Sequence, residues 1–168
     1  LHLDGHQAVA AIQYAKLCRG RGILTSLDGG GVRSNTQELL EFIDVAICSK
    51  RFCEQLDVSP EGLCELLQQK GCRIGRVALG DEGLGWYDES GFVRTMPSLH
   101  VPAAQVIDTN GAGDIFHGAY IYSYLAAPQK PWAEHFLFAR AASAHSIRHL
   151  GIEASLPAFE DVENAQRM

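Results

Sequence analysis

Residues 106–119 read VIDTNGAGDIFHGA, and this stretch is the starting point for the fold. The apolar pair Val106 and Ile107 predicts a short strand, and the strongly apolar run 115–126 predicts a helix that ends before Pro128. Between them, two glycines allow the main chain to approach an anion closely. The first turn of the helix adds N–H groups without partners and a partial positive charge. The stretch therefore predicts a strand, a turn and a helix that together can cradle a phosphate group.

Asp114 lies in the first turn of this helix, where the helix dipole favours a carboxylate. An alcohol that attacks a phosphoryl group needs a proton acceptor, and N–H donors aimed at the phosphate stabilise charge in the transition state. Both are available within residues 111–114, so Asp114 is predicted to be a general base. The alternative is an ordinary helix start, in which aspartate caps the helix and glycine makes the turn. The length of the string DTNGAGD favours the catalytic interpretation.

Outward from this stretch, short apolar runs alternate with segments of helical period, which predicts an α/β fold with a mainly parallel sheet. Strands are predicted at 1–3, 23–27, 45–48 and 76–79, and helices at 8–19, 36–42, 61–70 and 131–150. Residues 84–88 and 92–96 flank a turn that contains Gly91, which predicts an antiparallel edge hairpin. The length of 168 residues fits a single domain over residues 1–168.

Composition excludes several classes of function. Hydrophobic residues make up 46% and charged residues 20%, as in ordinary soluble globular proteins. The net charge is −6 with both signs interspersed, so a nucleic-acid partner is not expected. Apolar runs fall short of the ~20 residues that span a bilayer, so we expect a cytoplasmic protein without a membrane partner. The five cysteines form no Cys-x-x-Cys pair and are expected to be reduced structural thiols.

The stretch 106–119 resembles the second signature of the ribokinase-like, or PfkB, carbohydrate kinases. The resemblance implies a three-layer α/β/α fold and ATP-dependent phosphorylation of a sugar hydroxyl, with Mg²⁺ bridging the ATP phosphates. It also implies that Asp114 is the catalytic base and that the amides of Gly111, Ala112 and Gly113 form an anion hole. Residues 77–83 resemble the strand and glycine turn beside ATP. The predicted nucleotide contacts are Gly80, Gly83, Thr109, Ser49 and Ser143.

The segment 141–157 is similar to the part of the family that borders the adenine and closes a monovalent-cation site. By that resemblance, K⁺ is expected to bind mostly through backbone oxygens of Asp108, Asn110, Gly151 and Ser155.

Two segments depart from the family pattern. Ser49-Lys50-Arg51-Phe52 stands where the family has Asn-x-x-Glu, which organises water bound to magnesium, and Glu54 replaces the glutamate only if the register shifts. The position of Mg²⁺ is therefore open. Asp28-Gly29-Gly30-Gly31 stands where many sugar kinases have Asp followed by Asn and Arg, with Arg33 as the nearest substitute. These residues have two equally compatible interpretations. They lie near the active-site cleft, or they form a plain strand end and turn.

The resemblance covers only the carboxy-terminal half to two-thirds of a family member. We therefore expect an amino-terminal part, a small β lid and most sugar-binding residues to be missing. Because family members often dimerise through this lid, a full-length protein is expected to be a homodimer. Residues 116–119 and 27–29 favour a fructose-type or modified hexose substrate over a nucleoside. The alternatives are a nucleoside kinase, a non-catalytic nucleotide-binding homologue, and an oxidoreductase suggested by Asp28-Gly29-Gly30-Gly31, although that spacing fails Gly-x-Gly-x-x-Gly.

Overall fold

The computed structural model describes residues 1–78 and 83–166, and the chain divides into two compact units, Leu1–Ser98 and Leu99–Met168. The first unit contains the strands β1 (His2–Leu3), β2 (Ser26–Gly29), β3 (Val45–Cys48), β4 (Ile74–Ala78), β5 (Leu84–Tyr87) and β6 (Arg94–Met96). Its helices are α1 (Ala8–Arg19), α2 (Thr36–Leu39), α3 (Lys50–Leu56) and α4 (Pro60–Gln69), with a 3-10 turn at Leu40–Phe42. The second unit contains a 3-10 turn at Ala103–Gln105 and the helices α5 (Ala112–Ala126), α6 (Trp132–Ser146), α7 (Ile152–Ser155) and α8 (Phe159–Gln166).

The sheet of the first unit follows chain order from β1 to β6. Strands β1 to β4 pair in parallel, and β5 and β6 continue the sheet in antiparallel pairing. All four residues of β3 are buried, which explains why its sequence, VAIC, shows no polar alternation. The predicted α/β class, with a mainly parallel sheet and an antiparallel edge hairpin, is confirmed.

Helix α3 was not predicted, although its end signals are present in the sequence. The Ser49 hydroxyl accepts a hydrogen bond from the Phe52 amide at 3.2 Å, which is a standard N-cap. Helix α4 begins in the same way, with Ser59 bonded to the Gly62 amide and Pro60 in the first helical position. The two serines therefore mark two consecutive helices after β3.

Four of the five cysteines lie in the core of the first unit, where they pack beside large apolar side chains: Cys48, Cys53, Cys64 and Cys72. Burial raises the pKa of Cys64 to about 11 and that of Cys72 to about 12. It also raises the pKa of the Cys48 thiol well above its ordinary value. All five cysteines are free, and these four thiols act as small apolar side chains.

Gly75 of β4 faces the ring of Tyr87 across the antiparallel pair, and a Cβ at this position would overlap that ring. Tyr87 is fully buried, and its hydroxyl donates to the Cys72 carbonyl, so the ring cannot move aside easily. Gly75→Ala is expected to lower the free energy of unfolding by about 1–3 kcal/mol, the usual cost of overpacking a core. Gly85→Ala is the matched control, since a Cβ there meets no atom within 4 Å. Urea unfolding of both variants tests this, and equal stabilities would refute it.

Several predicted elements differ from the observed ones: β4 begins at Ile74 and not at residue 76, β6 begins at Arg94 and not at residue 92, and three further differences have a clear local cause. The strand predicted at 23–27 begins at Ser26, because the Ile23 amide closes the end of α1 on the Cys18 carbonyl. The helix predicted at 131–150 ends at Ser146 and is followed by turns that lead to Gly151. The strand predicted at Val106 and Ile107 is irregular backbone, whose shape is set by hydrogen bonds from residues 107 and 108 to the Ile147 carbonyl.

The second unit is helical and is held together by aromatic side chains of α5 and α6. The ring of Tyr120 meets those of Trp132 and Phe136, and Tyr124 stacks on Trp132 at 5.3 Å between ring centroids. His135 is completely buried beside them, with its Nδ1 at 2.8 Å from the Ser123 hydroxyl. Across residues 1–78 and 83–166, no helix combines the length and apolar character needed to cross a membrane.

The buried imidazole of His135 makes folding sensitive to acid. Burial lowers the pKa of His135 below its ordinary value of 6.5, so the unfolded chain takes up a proton at a higher pH than the folded chain does. The contribution of the neutral imidazole to the free energy of unfolding is complete above pH 6.5. It falls as the pH drops towards the folded-state pKa, with a slope of up to about 1.4 kcal/mol per pH unit.

Chemical unfolding of His135→Phe between pH 8 and 5 is expected to give a shallower loss of stability than wild type. Ser123→Ala is the control, since it removes the hydrogen bond but keeps the imidazole and its acid dependence. An unchanged slope for His135→Phe would contradict the prediction.

Candidate functional site

The turn before α5 depends on Gly111. This residue is the N-cap and has φ 76° and ψ −2°, in the left-handed region that glycine adopts without strain. A Cβ at Gly111 would lie 3.0 Å from Cγ1 of Ile152, so the end of the turn packs closely against α7. The prediction that Asp114 occupies the first turn of a helix is confirmed.

The amides of this turn are only partly used by the fold. The Ala112 amide donates to the Thr109 carbonyl at 3.3 Å, and the first bond of α5 runs from the Ile115 amide to the Gly111 carbonyl. The amides of Gly113 and Asp114 donate to no acceptor in the part of the chain that the structure describes. The start of α5 thus offers N–H donors to a ligand, while the Ala112 amide already has a partner.

Asp108 fixes the turn to the segment before α7. Its Oδ1 accepts from the Asn110 amide at 2.9 Å, and its Oδ2 accepts from the Gly151 amide at 3.1 Å. These two hydrogen bonds, that from Asn110 first, hold the pKa of Asp108 below its usual value. Three of the four residues predicted for a cation site are therefore in contact.

Two serines of the predicted set have hydroxyls engaged by the backbone. The Ser143 hydroxyl of α6 donates to the Ala112 carbonyl at 3.1 Å and so supports the first turn of α5. Ser155, the fourth residue of the predicted cation set, is buried and donates to the Ile152 carbonyl within α7. Thr109 is exposed in the turn.

Asp114 is exposed and borders a cleft of about 480 Å³ within the second unit. The other residues of this cleft are almost all apolar and come from α5, α6 and the segment from α7 to α8, among them Ile115, Tyr122, Phe138, Ile152, Leu156 and Phe159. We call this surface the apolar cleft. The sequence interpretation did not identify it, although Ile115, Ala119 and Tyr122 have the spacing of one helical stripe.

The other residues singled out from the sequence lie in the first unit. The Ser49 hydroxyl, besides capping α3, donates to the Gly30 carbonyl at 3.2 Å. Gly83 has φ 101°, and its missing Cβ leaves room for the Met96 carbonyl and Pro97. Gly80 lies outside the described residues. The predictions that Gly80, Gly83, Ser49, Thr109 and Ser143 contact ATP stay predictions.

Arg33 takes part in a polar chain that the sequence did not reveal. Its Nη2 lies 2.6 Å from Nε2 of His6, whose Nδ1 is 2.9 Å from Oδ2 of Asp4. Asp28 is half-buried within β2. Arg33 and Asp4 follow β2 and β1 respectively, at the carboxyl edge where α/β sheets commonly bind ligands.

Comparison with known proteins identifies the family of this chain. Residues 7–158 match the pfkB family of carbohydrate kinases. The chain is 27% identical over 158 residues to the ribokinase of Lactococcus lactis, which covers 94% of the chain and 49% of the relative. It is 29% identical over 154 residues to the ribokinase of Arabidopsis thaliana, covering 87% of the chain and 40% of the relative. The chain thus spans about half the length of the curated relatives it matches.

Solved structures agree with this assignment. The Thermotoga maritima ribokinase superposes with a TM-score of 0.78 at 26% identity, covering 90% of this chain and 52% of that one. Arabidopsis ribokinase complexed with ribose and ATP gives 0.80 at 26% identity, covering 95% and 52%. A putative ribokinase II from E. coli, in complex with ATP and Mg²⁺, gives 0.80 at 21% identity, covering 99% and 58%, and supports the fold alone. The predicted ribokinase-like fold is confirmed.

Proposed function

The chain belongs to the pfkB family of carbohydrate kinases, and we propose that it carries the part of a sugar kinase that activates the acceptor hydroxyl for attack on ATP. The observation that carries this proposal is local to the start of α5. An exposed carboxylate, Asp114, lies beside the amides of Gly113 and Asp114 itself, which have no acceptor within the described residues. A base and anion donors next to each other are what phosphoryl transfer to an alcohol requires.

In the proposed reaction, Asp114 accepts the proton of a sugar hydroxyl while that oxygen attacks the terminal phosphorus of ATP. The bond from this phosphorus to the bridging oxygen breaks, and ADP leaves. The free amides at the start of α5, with the positive end of its dipole, stabilise the charge on the transferred phosphoryl group. The left-handed conformation of Gly111 sets the direction of the turn. The Ser143 hydroxyl stabilises the turn by donating a hydrogen bond to the Ala112 carbonyl. The Gly111 amide likewise donates to no acceptor within the described residues, so the proposed anion hole consists mainly of the amides of Gly111, Gly113 and Asp114, with Ala112 contributing less.

The residues expected to bind K⁺ lie near one another. The Asp108 carboxylate accepts hydrogen bonds from the Asn110 and Gly151 amides, which brings three of the four residues together, and Ser155 follows in α7. For Mg²⁺, the described residues contain no group of three or more acidic, histidine or cysteine side chains that could hold a metal ion. Mg²⁺ would arrive with ATP and neutralise its phosphates.

A non-catalytic nucleotide-binding homologue is the second candidate. It is favoured by Ser49 and Phe52 at the positions of the family's Asn-x-x-Glu, because the Ser49 hydroxyl is occupied by the Phe52 amide and the Gly30 carbonyl. Such a protein would bind ATP without transferring its phosphate. The two candidates therefore differ in turnover and not in nucleotide affinity.

The deciding experiment is a panel of pentoses, hexoses, modified hexoses and nucleosides, tested on the natural gene product that contains this chain. ADP release is measured with Mg²⁺ and K⁺, and ATP binding is measured by calorimetry. We expect ADP release that depends on one class of sugar. ATP binding without ADP release across the whole panel would instead support the non-catalytic candidate, and release with nucleosides alone would support a nucleoside kinase.

A further inference from the structure

A second cavity of the second unit lies between the end of α6 and α8. It has a volume of about 290 Å³ and is lined by His145, Arg148, His149, Asp161, Asn164 and Ala165. Positions 145, 148 and 149 follow the spacing of one helical face, and so do positions 161, 164 and 165. We call this space the polar cavity. It shares no lining residue with the apolar cleft beside Asp114.

Arg148 gives the polar cavity a positive charge that the fold does not use. Its guanidinium is partly buried and donates to no acceptor among the described residues, although arginine has five N–H donors. The side-chain amide of Asn164, on the facing helix, also has no hydrogen-bond partner in that part of the chain. A planar guanidinium binds a carboxylate through two parallel hydrogen bonds. These donors therefore suit a carboxylate.

Asp161 and His149 give the same cavity acceptors. Oδ2 of Asp161 accepts from the Ala158 amide at 2.8 Å, and Oδ1 has no donor within the described residues. Nδ1 of His149 lies 3.1 Å from the His145 carbonyl, which can only accept, so Nδ1 carries a proton and Nε2 of the neutral ring keeps its lone pair. Nε2 of His145 is 4.0 Å from Oδ2 of Asp161, beyond hydrogen-bonding distance. Burial lowers the pKa of His145, so its ring is neutral at pH 7 and leaves the charge of Asp161 in place.

The polar cavity thus contains one positive and one negative side chain that do not pair with each other. Arg148 and Asp161 line the same space, but no salt bridge joins them in the described chain. A partly buried charge is unfavourable unless an opposite charge meets it. A phosphate dianion would pair with Arg148 and be repelled by Asp161, whereas a neutral sugar would leave both charges unpaired. A small zwitterion pairs with both.

We propose that the polar cavity binds a free α-amino acid, with its carboxylate on the Arg148 guanidinium and its ammonium group on the Asp161 carboxylate. The ammonium group has three N–H donors, and Nε2 of His149 is a second acceptor for them. The Asn164 amide is a second donor to the ligand carboxylate. A volume of about 290 Å³ lies at the small end of the range for ligand pockets, which favours a compact amino acid. The proposal stands whether or not Asp114 is the base.

The first test measures binding to the natural gene product by isothermal titration calorimetry. The probes are the common L-amino acids, with acetate and methylammonium as matched probes that each carry one of the two charged groups. At least one amino acid is expected to bind at least about tenfold more tightly than either of these halves, because only the zwitterion pairs with both charges. The imidazole NMR signals of His145 and His149 should shift as that amino acid binds.

The second test removes each charge of the polar cavity in turn. Arg148→Gln and Asp161→Asn are each expected to weaken the binding of that amino acid at least about tenfold, since one end of the ligand loses its counter-charge. Asparagine can still accept from the Ala158 amide, so the start of α8 is kept. Lys130→Gln and Glu160→Gln are the matched controls, because they remove one exposed charge of each sign outside the cavity, and they should bind as wild type does.

Three results would overturn the proposal. The first is that no amino acid binds more tightly than acetate and methylammonium, which the wild-type protein decides without any variant. The second is that affinity is unchanged in both Arg148→Gln and Asp161→Asn, which would place the amino acid elsewhere. The third is that inorganic phosphate binds more tightly than any amino acid and needs Arg148, which would make the cavity an anion site.

Discussion

Asp114→Asn in the natural gene product is expected to lower kcat by ~10³-fold, within the range found for loss of a general base. Asparagine keeps the size and hydrogen-bonding shape of the side chain but cannot take the proton of the acceptor hydroxyl at neutral pH. The side chain is exposed and has no hydrogen-bond partner within the described residues, so the fold should be unaffected. Steady-state kinetics with ADP release, ATP binding by calorimetry and a melting curve together test this.

Glu153→Gln is the matched control for Asp114→Asn, because it removes one exposed carboxylate from the first turn of α7 in the same unit. We expect its turnover to stay near that of wild type. A kcat for Asp114→Asn within a fewfold of wild type would rule out the base assignment. A matching loss in ATP affinity would point to a damaged nucleotide site, and the role of Asp114 would then be binding.

Gly111→Ala is expected to damage both the fold of the turn and the reaction. Alanine at φ 76° costs about 1–2 kcal/mol, and its Cβ would press on Ile152 at 3.0 Å. The turn must shift to relieve this contact, which displaces the amides at the start of α5. Misplacement of such donors by about 1 Å costs on the order of 10²-fold in rate. The loss of kcat should therefore exceed what the loss of stability alone would predict.

Gly113→Ala is the natural comparison for Gly111→Ala, since it lies in the helix and its Cβ would meet no atom within 4 Å. Its melting temperature should equal or exceed that of wild type, because alanine favours a helix by up to about 1 kcal/mol over glycine. The double variant Gly111→Ala with Ile152→Ala should recover part of the lost stability by removing the contact. Equal melting temperatures for the two single variants would contradict the role given to Gly111.

The sequence predicted the six strands of the sheet and the first turn of α5 because local chemistry encodes both, although it also predicted a strand at residues 106–107 that is absent. Strand β3 reads as a continuous apolar run because both faces are buried, and two glycines with an aspartate before an apolar run mark a helix start. Helix α3 was missed because its first residues, SKRF, were interpreted only as a changed family motif. Its N-cap serine was a sufficient local signal.

The missed parts of the candidate site depend on residues that are distant in sequence. The carboxylate of Asp108 bonds to the Gly151 amide, 43 positions away, and the amides of residues 107 and 108 bond to Ile147. Likewise, Leu156 and Phe159 meet the stripe of α5 only after the chain has passed through α6. No local pattern encodes these long-range contacts, so the motif predicted a candidate base and the turn but not the apolar surface next to them.

The two units differ in their reactivity towards alkylating reagents, because only the first unit contains thiols. Cysteine reacts as the thiolate, and the raised pKa values of Cys64 and Cys72 keep those side chains protonated as well as shielded. Every cysteine of the chain lies between positions 18 and 72, in the first unit, and residues 99–168 have none. The rate of iodoacetamide labelling at the buried positions therefore reports the opening of the first unit around these thiols, and no cysteine reports directly on residues 99–168.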